Sequence, residues 1–272
     1  MPGASCLPRQ IKRLGPTFGL QYPRCGGVGP DLACGETALR RSMLTTDIHD
    51  LATALEMITP GRLVSQVVPV DGSYDLFEIE ERSVLNAVQK RREEFAAGRA
   101  AARRALGILG IPSLPIPRAD DRRPIWPREI IGSISHAESL AAAVVGRGED
   151  FAGVGLDIEA AVPLKSELRR HILTAAEISA REAAPLVGRV PRCKVGFVAK
   201  EALFKAVYPI TRTFFGFQDA RVEIDEDGSW TAVLAEPPFA RSELKILQGK
   251  WATAGDMIAA IVCVEGATID AG

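Results

Sequence analysis

Asp157 and Glu159 lie two residues apart in Gly153-Val154-Gly155-Leu156-Asp157-Ile158-Glu159, and Glu201 and Lys205 lie four apart in Phe197-Val198-Ala199-Lys200-Glu201-Ala202-Leu203-Phe204-Lys205. Val154, Leu156 and Ile158 alternate with Gly155, Asp157 and Glu159 at the period of a pleated chain, so the first segment is expected to be a buried strand with both carboxylates on one face. Their Cα atoms would be roughly 6.5–7 Å apart, within reach of one small divalent ion. The second segment reads as a helix on which Glu201 and Lys205 share a face. Three carboxylates with Lys200 and Lys205 form a candidate site for phosphate chemistry. Magnesium suits it, because that ion prefers oxygen donors and is usually held by a few carboxylates together with substrate phosphates. Gly153 and Gly155 are expected to let a bulky ligand approach the strand. Each piece also has a plainer account: a solvent-facing edge strand for the first, and a surface pair worth a few tenths of a kcal/mol for the second. Two carboxylates side by side on a buried strand, however, need a compensating cation.

The elements that must position these groups can be read from periodicity. Residues 1–45, rich in Gly, Pro, Arg and Cys, are read as a poorly ordered extension. A short helix through Leu51, Leu55 and Ile58 is stopped by Pro60 and Gly61, and is followed by a strand at Leu63–Val70 and a turn at Asp71-Gly72. A long helix is expected from about Glu78 to Leu109, with Leu85, Val88, Phe95, Ala102, Leu106 and Leu109 as its apolar stripe. Arg92, Arg99 and Arg103 line up beside that stripe on a helical wheel, either as a solvated face balanced by Glu93 and Glu94 or as arginines aimed at phosphate.

A proline-broken loop then carries Arg118, Arg122 and Arg123. Ile130–Ser135 and Leu140–Val145 read as antiparallel strands around a turn at His136–Ser139, with Gly132, Ser133 and Ser135 leaving room against the backbone. Gly146–Asp150 is the expected boundary between an N-terminal subdomain, 46–150, and a C-terminal one, 151–272. In the second, helices are expected at Lys165–Leu173, from the capping box at Thr174 and Glu177, and up to a stop before Pro209. Four strands follow: Ala220–Asp225, Trp230–Ala235, Lys245–Lys250 and Asp256–Val264. The class is α+β, with two similar-sized subdomains.

Composition narrows the function. The net charge of −1 argues against general attraction to nucleic acid. No apolar run reaches the length of a membrane span, and the first residues lack the apolar core of a secretory signal, so a cytoplasmic location is expected. The five cysteines include no C-x-x-C pair, and neither H-E-x-x-H nor a nucleophile elbow is present.

Taken together, these motifs resemble the 4′-phosphopantetheinyl transferases. The segments at 153–159 and 197–205 are similar to that family's paired signature, and Gly132-Ser-Ile-Ser-His136 to its upstream motif. Arg91-Arg92-Glu-Glu-Phe-Ala-Ala-Gly-Arg99-Ala-Ala-Ala-Arg103 and Arg123-Pro-Ile-Trp-Pro127 resemble the branch containing the siderophore (enterobactin) synthase component D. The resemblance runs from about residue 46 onward. It implies a pseudodimer of two α/β subdomains with coenzyme A and Mg2+ in the cleft between them. It also implies transfer of the 4′-phosphopantetheine arm of coenzyme A to a serine of an acyl or peptidyl carrier protein, releasing adenosine 3′,5′-bisphosphate. By motif position, Asp157, Glu159 and Glu201 would hold the metal, with Glu201 also activating the serine, and Lys205 would serve the leaving group with Lys200 close by. His136, with Arg91 and Arg99, falls at the 3′-phosphate, Arg118, Arg123 and Pro124 fall near the adenine nucleotide, and Ser135 is a further coenzyme A-binding position. Wheel geometry favours Arg92 over Arg91, so both stay open. Lys165, Arg169, Arg170, Arg189, Arg192 and Lys194 make the region between the signatures basic, suited to an acidic carrier. A monomer is expected. A magnesium-dependent nucleotide phosphohydrolase and a non-catalytic coenzyme A or carrier-binding module are the alternatives.

Overall fold

The computed structural model describes residues 47–72, 74–235 and 244–266, so the expected extension at 1–45 lies outside the described residues. Two sheets are each backed by one helix of twenty residues. The first sheet is antiparallel, with spatial order β1 (Leu63–Pro69), β3 (Leu140–Arg147), β2 (Ile130–Ala137), and α3 (Gln89–Ile108) covers its outer face. The second has the order β4 (Phe151–Ala160), β10 (Met257–Glu265), β9 (Ile246–Ala254), β8 (Ser229–Leu234), β7 (Ala220–Ile224), and is covered by α6 (Arg192–Thr211). This is the α+β pseudodimer, each half a sheet with its own helix.

Central strands buried on both faces must read as unbroken apolar runs, and β3 and β10 do. Ala141, Ala143 and Val145 of β3 meet α3, while Ala142 and Val144 face a middle core. That middle core joins the halves: Leu51 and Leu55 of α1 (47–58), Leu63 and Val67 of β1, Phe151, Val154, Leu156 and Ile158 of β4, and Met257 and Ile261 of β10 pack together. The two sheets meet edge to edge at β2 and β4, and there side-chain hydroxyls replace a backbone ladder. Ser133 Oγ accepts from Leu156 N at 3.0 Å, and Ser135 Oγ accepts from Ile158 N at 3.3 Å.

Several expectations are revised. The long helix is broken: α2 (Glu78–Glu81) and a 3₁₀ turn (Arg82–Val84) precede α3, and Leu85 and Val88 are exposed rather than part of the stripe. A continuous helix would place Glu80 about 35 Å from Arg103. Their side chains instead lie 2.9 Å apart, because buried Glu80 folds α2 back beside α3. Helix α6 runs through Pro209 to Thr211, since a proline in the last turn removes only the bond to the Lys205 carbonyl. Strands β2 and β3 extend through Ala137 and from Leu140, which leaves Glu138 and Ser139 as a tight turn with Glu138 at φ 52°. The rest of the C-terminal half comprises α4 (Ser166–Ile172), α5 (Ala175–Ala183) with its capping box, and a hairpin of β5 (Leu186–Val187) and β6 (Val190–Pro191) too short for periodicity to reveal.

Candidate active site

The cleft begins where α6 crosses β4. Gly155 faces the carbonyl of Ala202, and a Cβ built on Gly153 would stand 2.6 Å from the carbonyl of Ala206. These glycines therefore make room for the helix backbone and not for a ligand, correcting the sequence reading. The close crossing brings Glu201 and Lys205 of α6 against Asp157 of β4. Asp157 is buried; its Oδ1 accepts from Lys205 Nζ at 2.8 Å and from Ser135 Oγ at 2.7 Å, while Oδ2 is buried with no partner. Lys205 also donates to the Leu156 carbonyl at 3.1 Å. Glu159 Oε2 pairs with Lys194 Nζ at 2.9 Å. Glu201 is pushed up to about 8, first by burial and then by the negative charge of Asp157, with Lys205 opposing. Burial and Asp157 raise Glu159 as well.

Three carboxylates thus sense one another in a dry place, balanced by two lysines. Among the described residues no group of three or more His, Cys, Asp or Glu side chains is already gathered around a common metal point. As arranged, Lys205 and Lys194 neutralise two of the carboxylates. The donor set nevertheless fits an oxygen-seeking divalent ion. Its donors are all carboxylate oxygens, and Asp157 Oδ2 is a buried acceptor with nothing to accept from, a costly state unless something cationic arrives.

Next to Ser135, His136 near the end of β2 faces Arg91 in the first turn of α3, with Nη1 to Nε2 at 2.7 Å. A guanidinium can only donate, so Nε2 accepts and the neutral ring carries its proton on Nδ1. Burial, then Arg91, Lys205, Lys90 and Arg99, hold the His136 imidazolium down to about 3. Arg99 is buried, with its guanidinium 3.6 Å from the Phe95 ring centroid and Nε donating to the Ile116 carbonyl at 3.1 Å. Burial lowers it to about 9. Glu94 is the carboxylate in this cluster, its Oε2 3.4 Å from Arg91 Nη1 and 3.8 Å from His136 Nε2, so Arg91, Arg99 and Lys90 still outnumber it around the neutral imidazole. Arg91 turns into this cluster while Arg92 is exposed, which separates the two arginines left open by the sequence. Arg103 pairs with Glu80 and is not a free member of a stripe.

The remaining candidates divide. Arg118 and Pro124 pair as an isolated β-bridge across the loop, and Arg118 is lowered by burial and then by Arg122 and Arg91. Arg123 Nε is 3.2 Å from Asp121 Oδ2, an oxygen also reached by Arg212 Nη1 at 3.1 Å and Tyr208 OH at 3.3 Å from the end of α6. Ser135 is committed to Asp157. The structure does not bring Lys200 to the Asp157 cluster: Nζ donates to Glu177 Oε2 at 2.7 Å, the Phe217 carbonyl at 2.8 Å and the Ile172 carbonyl at 2.9 Å, tying α6 to α5, to the 3₁₀ turn at Phe217–Asp219 and to the end of α4. Gly132 is covered by the Trp126 indole, 2.6 Å from where its Cβ would stand, and leaves no room for a ligand. Of the basic region, Arg192 is held by Glu226 and the Ile224 carbonyl and Lys194 by Glu159, while Lys165, Arg169, Arg170 and Arg189 are exposed. Sequence reasoning missed Glu80, Asp121 and Glu177 as the partner of Lys200, and it took Ser133 as leaving space where its hydroxyl bonds β4. Glu177 left a trace through its capping box, and Ser133 through the motif at 132–136.

Comparison with known proteins agrees with this geometry. Residues 79–146 match the 4′-phosphopantetheinyl transferase N-terminal domain, and residues 153–262 match the 4′-phosphopantetheinyl transferase superfamily. The chain is 32% identical over 236 residues to 4′-phosphopantetheinyl transferase PptT of Mycobacterium tuberculosis, covering 75% of this chain and all of that protein. It is 34% identical over 196 residues to 4′-phosphopantetheinyl transferase Svp of Streptomyces mobaraensis, covering 70% and 78% of the two chains. It is 37% identical over 139 residues to enterobactin synthase component D of Escherichia coli, covering 50% and 64%. With both regions matched in one chain and a relative 32% identical over its whole length, the chain belongs to the 4′-phosphopantetheinyl transferase superfamily and is a transferase.

Proposed function

We propose that this cleft takes coenzyme A together with Mg2+ and transfers the 4′-phosphopantetheine arm to a serine of an apo acyl or peptidyl carrier protein. Adenosine 3′,5′-bisphosphate is the second product. The observation that carries this reading is the meeting of two clusters at the β2–β4 seam: Asp157, Glu201 and Lys205 in one, His136, Arg91 and Arg99 in the other, joined by Ser135, which precedes His136 and donates to Asp157, and by Lys205, which acts electrostatically on His136. Such an arrangement suits a molecule with phosphate at both ends of an adenosine. Arg91 and Arg99 neutralise the 3′-phosphate while His136 offers Nδ1–H, and Arg118 with the Arg123-Pro124 loop borders the nucleotide.

Asp157, Glu159 and Glu201 would hold the metal, whose chemistry when bound is to neutralise the pyrophosphate oxygens. Asp157 Oδ2 and Glu159 Oε1 are the oxygens that Lys205 and Lys194 leave unused, and Lys205 Nζ, held on Asp157 Oδ1, would stand beside the departing phosphate. The serine hydroxyl oxygen forms a bond to the phosphorus that bears the pantetheine, its proton passes to Glu201, and the bond to the bridging oxygen breaks. That electron pair leaves with adenosine 3′,5′-bisphosphate beside Lys205. Without a cation, burial and Asp157 hold Glu201 largely protonated; a bound divalent ion would favour its carboxylate form, the form that can take the serine proton. Positioning and charge neutralisation do most of the work in such displacements.

Lys165, Arg169, Arg170 and Arg189 stay exposed and would meet an acidic carrier helix. The reading carries a cytoplasmic enzyme active as a monomer, because a shared middle core builds the cleft within one chain. Incubation with coenzyme A, Mg2+ and a panel of apo carriers from siderophore, polyketide and peptide assembly is expected to give one phosphopantetheine adduct by mass spectrometry, abolished by chelation. No adduct on any carrier would refute it, and release of adenosine bisphosphate without a carrier would favour a phosphohydrolase.

A further inference from the structure

Glu80 is wholly buried on the short helix α2, outside every motif that marks the site. A buried carboxylate must be compensated, and this one is compensated four times. Oε1 accepts from Arg103 Nη1 at 2.9 Å and from the Ile116 backbone N–H at 2.7 Å. Oε2 accepts from Arg103 Nη1 at 3.0 Å and from the Phe77 N–H at 2.9 Å. The Ile116 peptide then passes the connection on: its carbonyl accepts from Arg99 Nε at 3.1 Å, so Ile116 is clamped between Glu80 on one side and Arg99 on the other. Ile116 itself is wholly buried, and Arg118 follows two residues later on the same segment.

This geometry separates charge compensation from contact. Glu80 supplies the negative charge nearest in effect to Arg99, yet its oxygens are taken by Arg103 and two backbone donors. Arg99 therefore keeps its charge in a dry setting without having an ion-pair partner to release when an anion enters the cleft. We propose that Glu80 is a positioning residue for the far phosphate of the substrate. By fixing Ile116 and Arg103 it aims the Arg99 guanidinium. This rests on the reading of His136, Arg91 and Arg99 as the pocket for the 3′-phosphate of coenzyme A.

The test compares coenzyme A with dephospho-coenzyme A, which lacks that phosphate, as donors to one apo carrier, using the full chain and Glu80→Gln. In the unaltered protein, KM is expected to be lower for coenzyme A than for dephospho-coenzyme A. In Glu80→Gln, KM for coenzyme A is expected to rise about tenfold, the worth of one charge-assisted hydrogen bond, with kcat held within about twofold and KM for dephospho-coenzyme A unmoved. A role confined to folding would lower the melting temperature and move both KM values alike, and that result overturns the proposal. Should Glu80→Gln fail to fold, the charge-neutral pair Glu80→Gln/Arg103→Gln, which removes the buried charges together, is read in its place with the same expectation. Loss of fold in both is the mark of a purely structural ion pair and also overturns it. The underlying readings fail differently: no transfer by the unaltered protein refutes the function, and equal KM values for the two donors in that protein refute the phosphate pocket.

Discussion

The hydroxyls of Ser133 and Ser135 allow glue and catalysis to be told apart, because they do nearly the same thing two residues apart. Both lie on β2 and both bond the backbone of β4 at the seam between the sheets, but only Ser135 also donates to Asp157. Ser133→Ala loses the bond at 3.0 Å to Leu156 N and a long contact of 3.4 Å to the Leu156 carbonyl. About 1.5 kcal/mol is expected for that loss. Ser135→Ala loses a 2.7 Å bond to a carboxylate as well as the Ile158 N–H contact, and about 3 kcal/mol is expected. For a domain of this size the melting temperature should fall by about 3–6 °C in the first variant and about 6–12 °C in the second. Activity should separate them further. With Oδ1 left to Lys205 alone, Asp157 is free to turn, and losing a group that orients a metal-binding carboxylate typically costs about 10–100-fold in metal affinity or rate. Transfer assays titrated with Mg2+ at a temperature where both variants are folded should show Ser133→Ala close to the unaltered protein and Ser135→Ala weakened by that factor. Equal activity losses in the two variants, or no loss in Ser135→Ala, would refute the argument that Ser135 orients Asp157.

Gly155→Ala should be severely destabilising, by more than the usual 1–3 kcal/mol of overpacking, because the obstructing atoms are the backbone of Ala202 and Ala206 and cannot rotate away; denaturant unfolding measures it, and a change under about 1 kcal/mol would show that α6 can lift off β4 freely. Lys200→Met leaves the buried Glu177 carboxylate with its Thr174 and Val222 N–H bonds but without its ion-pair partner, and should cost about 3 kcal/mol while leaving KM for coenzyme A in place; a selective rise in that KM would support Lys200 as a coenzyme A contact. The pH dependence of stability has two opposed parts. Glu201, raised to about 8 from 4.5, binds a proton in the folded chain that the unfolded chain has released, so its contribution is full below the lower value and is lost as pH rises through the upper one. His136, lowered to about 3 from 6.5, contributes fully above the upper value and loses it as pH falls through the lower one. Urea titrations against pH should lose the decline between pH 4.5 and about 8 in Glu201→Gln and soften the decline from pH 6.5 down to about 3 in His136→Asn, and unchanged slopes would refute the assignments.

The chemistry-bearing residues were legible because each sits in an element whose period is strong. A two-residue alternation places Asp157 with Glu159, and a spacing of four places Glu201 with Lys205. Side-chain direction within one strand or helix follows from local geometry, and that is what sequence spacing encodes. Lys200 shows the limit. It is adjacent to Glu201 and shares its motif, but a neighbour on a helix points about 100° away, and the structure sends it to Glu177 and two carbonyls instead.

The sequence by itself thus determined the element types, the apolar central strands and the two clusters of charge, since these depend on local periodicity and composition. Tertiary structure alone decided which Arg of the Arg91-Arg92 pair meets His136, that glycines 153 and 155 admit a helix and not a ligand, and that Glu80 turns back to Arg103. Each of those outcomes turns on a partner far away in the chain. A buried charge or a close backbone crossing is settled by what desolvates and compensates it, and no local window of sequence contains that partner.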